Sequence, residues 1–264
     1  MSNWFKLDHL ASLLIVGDDA KTFAQAQFTS DMANTPENHW FPTAWCDPKG
    51  RVLSVMLAKC REGVVELICP ASQIDLLLHR LPMFAIGRKV QVSAGDGVCG
   101  CLDHDQSDGA LAFDPGRGLR LMSEGTGAGL GQLQQWRHAD LEAGIPWLSP
   151  ETSAEHLPQA LGLEALDAIS YSKGCYPGQE VIARVHYLGK VKHRTTRVAF
   201  EGEDPLPSGT LLIDEQDKRL GQLLWSVAGK GESSGLAVVY AGAKAGLGFT
   251  AKTEDRAVPG QVSL

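Results

Sequence analysis

The hydrophobic pattern of the first third of the chain predicts strands and helices in mixed order. Residues 11–16 form an apolar run of strand length. Gly17-Asp18-Asp19 then turns the chain, and either Asp can cap a helix over about 20–32 whose buried stripe holds Phe23, Ala24, Gln27 and Phe28. Residues 40–46 and 52–59 predict two strands joined by Asp47-Pro48-Lys49-Gly50, with Pro and Gly where a tight turn uses them. A strand over 64–69 follows, then a helix opened by Pro70 and running to about Leu81, then a strand over 89–93. The order β-α-β-β-β-α-β predicts an α+β sheet with helices on one face.

Residues 97–123 predict short strands broken by glycine turns, and 132–143 a helix closed by Gly144 and stopped by Pro146. Residues 149–158 have the composition of a loop. The character changes at Lys190. Strand-length runs over 191–200, 210–213, 220–227 and 236–240 alternate with Gly, Pro and Asp clusters, the pattern of a small β-barrel or sandwich. The division expected is an α+β region over 1–95, a second over 96–189, and a β-barrel over 190–264.

Composition narrows the class. The 264 residues are 44% hydrophobic and 21% charged, ordinary for a soluble globular protein. A net charge of −7 argues against a broad nucleic-acid-binding face but leaves room for a local basic patch. No apolar stretch is long enough to span a bilayer, and residues 1–10 lack a signal-peptide pattern. A cytoplasmic protein is expected, its six cysteines free thiols.

Residues 171–184 carry the most chemical information. The segment Lys173-Gly174-Cys175-Tyr176-Pro177-Gly178-Gln179-Glu180 predicts an extended piece entering a helix, with Pro177 in its first turn and Val181, Ile182 and Val185 as its apolar stripe. Glu180 and Arg184 are spaced to pair on one face, and Gly174 and Gly178 permit close backbone approach or positive φ. Cys175 stands ahead of a helix N-terminus and two residues from Lys173, and both features favour a thiolate. A nucleophilic, redox-active or metal-binding sulfur competes here with a buried structural cysteine.

Other features are weaker. Cys99-Gly100-Cys101 with His104 falls short of a four-ligand site, and no metal is expected. The glycines from Gly125 to Gly131 lack a βαβ setting and predict a connection. Lys190, Lys192, His193, Arg194 and Arg197 predict a solvated strand edge, with anionic ligands or RNA phosphates as the alternative contact.

The block from Lys173 to Glu180, followed by Arg184, resembles the signature of the YgfZ-like proteins, folate-binding relatives of the glycine-cleavage T-protein. Further blocks are similar in the same order. They are Leu14-Ile15-Val16-Gly17 through Ser30-Asp31, Asp47 to Arg51, Leu141-Glu142-Ala143-Gly144-Ile145-Pro146, and Tyr187 to Lys190 with His193-Arg194. The resemblance implies an α+β, T-protein-like folate-binding fold with a C-terminal small antiparallel β-barrel, and tetrahydrofolate as cofactor. It implies an accessory role in iron–sulfur cluster assembly or repair that supports cluster enzymes, tRNA-modifying ones included. Iron–sulfur proteins or assembly factors are then the partners, with no membrane and no direct nucleic-acid contact expected. Cys175 becomes the reactive thiol and Lys173 its activator. Glu142 becomes the pterin contact, with Gln179, Arg184 and Tyr176 also near the cofactor and Gly174, Gly178 and Glu180 shaping the motif. Two departures set the chain apart. Ser54-Val55 stands where the T-protein branch has an Asp pair, and Gln179 where it has an Arg; Cys175 itself replaces an acidic residue. Without the acid–base pair, a tetrahydrofolate-dependent one-carbon transferase or demethylase is the second reading, and a non-catalytic folate-binding module the third.

Overall fold

The computed structural model describes residues 4–35, 37–105, 108–122, 129–253 and 255–263. The first elements are β1 (Phe5–Lys6), β2 (Leu10–Val16), α1 (Ala20–Gln27), β3 (Phe41–Cys46), β4 (Val52–Arg61), β5 (Val64–Pro70), α2 (Ile74–Arg80) and β6 (Gln91–Ala94). They are followed by β7 (Val98–Cys101), β8 (Ala110–Leu111), β9 (Asp114–Leu121), α3 (Leu130–Glu142) and α4 (Gln179–Leu188). The last six strands are β10 (His193–Glu201), β11 (Leu211–Ile213), β12 (Arg219–Val227), β13 (Glu232–Tyr240), β14 (Gly248–Lys252) and β15 (Ala257–Val262).

A five-stranded antiparallel sheet has the order β3-β4-β5-β2-β6. Strands β3 and β4 are buried on both faces, so they read as continuous apolar runs. The period of two sorts their side chains between two cores. Met56, Ala58 and Cys60 meet α1 and α2 through Phe23, Ala24, Leu77 and Leu81. Val55 and Leu57 face the opposite way, into a core with Trp136, Trp147, Tyr176, Ile182 and Trp225. A four-stranded sheet, β1-β7-β9-β8, takes its edge strand from the N-terminal segment. The remaining strands close a six-stranded barrel in the order β10-β13-β12-β11-β14-β15 around Phe200, Leu212, Leu223, Val239 and Phe249. Trp225 Nε1 donates to Ile145 O at 2.9 Å and Arg137 Nη2 to Ser226 O at 2.7 Å, tying the barrel to α3 and its exit. A 130 Å³ cavity at this junction is lined by His9, Arg137, Asp140, Trp147 and Trp225.

Several boundaries differ from the pattern-based reading. Helix α1 stops at Gln27, not near Met32, because Phe28 is extended (φ −106°, ψ 161°) and bridges to Trp45. Pro70 ends β5 opposite Leu10, and a 3-10 turn over Ala71–Gln73 leads into α2. Pro177 lies outside α4, whose N-cap is the left-handed Gly178 (φ 78°). The barrel has two strands more than its hydrophobic runs announced. Strand β15 contains Pro259-Gly260, which reads as a breaker, but it pairs with β10 only from Gly260 onward, so Pro259 lies outside that ladder. Gly260 is required there: a Cβ would meet the Phe249 ring at 2.6 Å. Of the glycine run, residues 125–128 lie outside the described residues, as does Ser123; Gly129 precedes α3, its N–H donating to Gln132 Oε1 at 3.2 Å. Among the described residues no helix is long and apolar enough to cross a membrane.

Candidate functional site

Lys173 organises the cysteine segment. Its ammonium donates to Gln25 O at 2.6 Å, to Phe28 O and to Ser30 O at 2.8 Å. These carbonyls sit at and just beyond the C-terminal end of α1, where helix geometry leaves acceptors without partners and the dipole is negative. A residue far along the chain therefore caps α1, and all three ammonium protons are committed. Lys173 is buried, which pushes it down to about 8, with Asp31 opposing the shift. The sequence offered Lys173 as an activator of Cys175; in the structure its ammonium is turned to backbone carbonyls and holds the loop in place.

The segment closes on itself. Lys173 N donates to Ser170 Oγ at 3.2 Å, Tyr176 OH to Ser170 O at 3.2 Å, and Gln179 Nε2 to Lys173 O at 3.2 Å. Tyr176 is buried beneath the Lys173 ammonium, 4.8 Å from its ring centroid. Tyr176 and Gln179 thus shape the loop and line neither of the two cavities described below. Gly178 meets the Asp47–Arg51 turn, in which Asp47 Oδ1 accepts from Lys49 N and Arg51 N at 2.8 Å each. Gly174 has neither positive φ nor a close neighbour, so its expected steric role is absent. Glu180 and Arg184 are exposed and form no ion pair among the described residues; their expected pairing across α4 is not made, and Arg184 lines neither cavity.

Cys175 is exposed, whereas Cys46, Cys60, Cys69, Cys99 and Cys101 are buried. Burial pushes the Cys69 thiol up to about 12 and raises Cys46, Cys60 and Cys99 as well. Cys99 and Cys101 lie inside β7, and no group of three metal-ligating side chains occurs among the described residues.

A cleft of about 690 Å³ adjoins the cysteine loop at Ser170, Tyr171 and Ser172. Ser30 and Asp31 line it opposite, with Phe41, Phe113, Leu166 and Tyr187 as apolar walls. Tyr171 OH donates to Glu164 Oε1 at 2.5 Å and receives Gln159 Nε2 at 3.2 Å; burial first, then Glu164, raises its phenol. His186 stacks on Tyr171 at 3.9 Å and shares Glu164 Oε1 through Nδ1 at 2.7 Å. Glu142, exposed at the end of α3, lines a second cavity of about 340 Å³ with Arg194, Arg197 and Leu236. The two cavities share Ala165 and Leu166. Sequence reasoning missed Tyr171, Glu164 and His186. Tyr187 and Asp31 did fall in blocks that carried the resemblance, and their neighbourhood was the available signal.

The arrangement defines a class. The fold matches the crystal structure of the glycine cleavage system aminomethyltransferase T from Bartonella henselae with a TM-score of 0.73, over 100% of this chain and 85% of that one, at 14% identity. This chain carries an exposed cysteine on the loop before α4 and a Ser54-Val55 pair inside β4. The chain belongs to the YgfZ family. It is 30% identical over 241 residues to the tRNA-modifying protein YgfZ of Klebsiella pneumoniae, covering 75% of this chain and 74% of that one. It is 28% identical over 248 residues to the protein of the same name from Vibrio atlanticus, covering 83% and 76%. It is also 34% identical over 203 residues to an uncharacterized protein of Haemophilus influenzae, covering 73% and 71%. No family model matches the chain.

Proposed function

We propose that the chain is a folate-binding accessory factor for iron–sulfur cluster assembly or repair, supporting cluster enzymes that include tRNA-modifying ones. The observation that carries this reading is an exposed thiol, Cys175, on a loop anchored by Lys173 to Ser30, which lines the 690 Å³ cleft. The cleft is within the usual size range for a ligand such as tetrahydrofolate and mixes apolar walls with polar and acidic groups, Asp31 and Asp167 among them. Its aromatic residues Phe113, Tyr171 and Tyr187 suit the flat rings, and Glu142, across the Ala165–Leu166 wall, can accept two parallel hydrogen bonds from the aminopyrimidine edge. Tetrahydrofolate, when bound, supplies a carrier for one-carbon units. Cys175 supplies the thiol that meets the iron–sulfur partner. The name carried by the Klebsiella and Vibrio relatives supports a link to tRNA modification.

The test is calorimetric titration with tetrahydrofolate of wild type, Glu142→Ala and Tyr187→Ala, beside complementation of a family-deficient strain by Cys175→Ala. Both cavity variants are expected to lose affinity at least about tenfold, and Cys175→Ala to fold but fail to complement. Unchanged affinity in both would remove the folate site, and full complementation would remove the thiol. Formation of methylene-tetrahydrofolate from a methylamine donor would favour the one-carbon transferase instead.

A further inference from the structure

Cations are concentrated at one end of the barrel, where Glu142 shares a cavity with Arg194 and Arg197. Residues 181–200 contain Arg184, Lys190, Lys192, Arg194 and Arg197 with no Asp or Glu, and residues 233–250 add Lys244, again with no acid. The chain as a whole carries −7, so this concentration opposes the general balance. The two stretches meet in space. Strand β10 pairs with β13 so that His193 faces Tyr240, Ala241 N donates to Lys192 O at 2.8 Å, and Arg194 Nη2 donates to Ala243 O at 3.1 Å.

Aromatic surface lies among these cations. Tyr240 is 57% exposed, and the His193 and Tyr240 rings stand edge to face at 6.3 Å; the aliphatic Leu188 is 83% exposed. Tyr240 rests against Gly242, where a Cβ would meet the ring at 2.8 Å; the ring is braced on that side. An exposed ring pair beside lysines fits stacked bases and a phosphate chain.

We propose that this end of the barrel binds a single-stranded polynucleotide, its phosphates on Lys190, Lys192 and Lys244 and its unpaired bases on Tyr240 and His193. The footprint is a few nucleotides, because the surrounding chain is acidic and repels a long polyanion. The site is separate from the folate reading, since Lys190, Lys192 and Tyr240 line neither cavity.

The test is fluorescence anisotropy with labelled RNA of about 12 nucleotides, the DNA of the same sequence, and the RNA duplex. Wild type is expected to bind a single strand at about 50 mM salt and to weaken steeply toward about 200 mM. The pair Lys190→Glu with Lys192→Glu should lower affinity at least about tenfold, and Tyr240→Ala about 5- to 100-fold. Tetrahydrofolate affinity, read on the same proteins, should not change, and circular dichroism confirms that they fold. The RNA and DNA arms identify which strand is preferred, and binding of either supports the site. No binding of any single strand, binding indifferent to these substitutions, or displacement by polyglutamate as effective as by the strand itself would overturn the proposal. The last result would mark a docking face for an acidic protein.

Discussion

Gly178 and Gly50 meet backbone to backbone. A Cβ on Gly178 would stand 2.5 Å from Gly50 Cα and 2.6 Å from Asp47 O, and both glycines have positive φ, 78° and 77°. The contact seats the cysteine loop on the turn between β3 and β4. Gly178→Ala is expected to cost about 2–4 kcal/mol, combining left-handed strain with steric overlap. Gly174→Ala, with open space around it, should stay within about 0.5 kcal/mol. Urea unfolding of the two variants checks the account; equal losses would refute it.

Lys173→Met should destabilise by about 3–5 kcal/mol, because it strips three carbonyls of a shared donor at the end of α1. Lys173→Arg should recover little, since a planar fork cannot replace a point ammonium held among converging acceptors. The readout is urea unfolding. Wild-type stability in Lys173→Met would mean that the ammonium holds nothing.

These two relationships show where the sequence was legible. The Cys175 segment stood out by residue type, and the five-stranded sheet by its apolar runs. The partners of Lys173 did not, because they are backbone carbonyls at positions 25, 28 and 30, which no side-chain pattern reports. Gly174 and Gly178 look alike in sequence and differ only in φ and in what faces them. The end of α1 was misplaced because Phe28 fits the helical stripe, yet bridging to Trp45 outweighs one further helical turn. Strand β14 offers only Phe249 and Ala251 as buried residues, too few to stand out from a loop.

His9 gives the fold an acid-sensitive point. Burial first, then Arg137, lowers it from 6.5 to about 4, and neither ring nitrogen has a hydrogen-bond partner among the described residues. The folded protein therefore binds fewer protons there than the unfolded chain. The stability contributed is complete above about pH 6.5 and is lost as pH falls toward 4, amounting to about 3 kcal/mol. Urea unfolding across that window should show a shallower pH dependence for His9→Gln than for wild type. Identical slopes would exclude His9 as the cause.

Glu164 positions both Tyr171 and His186 through one oxygen. Glu164→Ala should leave stability within about 1 kcal/mol, since the carboxylate is partly solvated. It should weaken tetrahydrofolate about 3- to 10-fold by freeing the Tyr171 wall of the cleft. Titration calorimetry reads the affinity, and a value equal to wild type would detach this cluster from ligand binding.

Ser30 serves two masters: its flank lines the cleft, while its carbonyl grips the ammonium two residues before the sulfur. One residue thus joins the lining of the cleft to the loop that carries the sulfur, by a single carbonyl–ammonium contact.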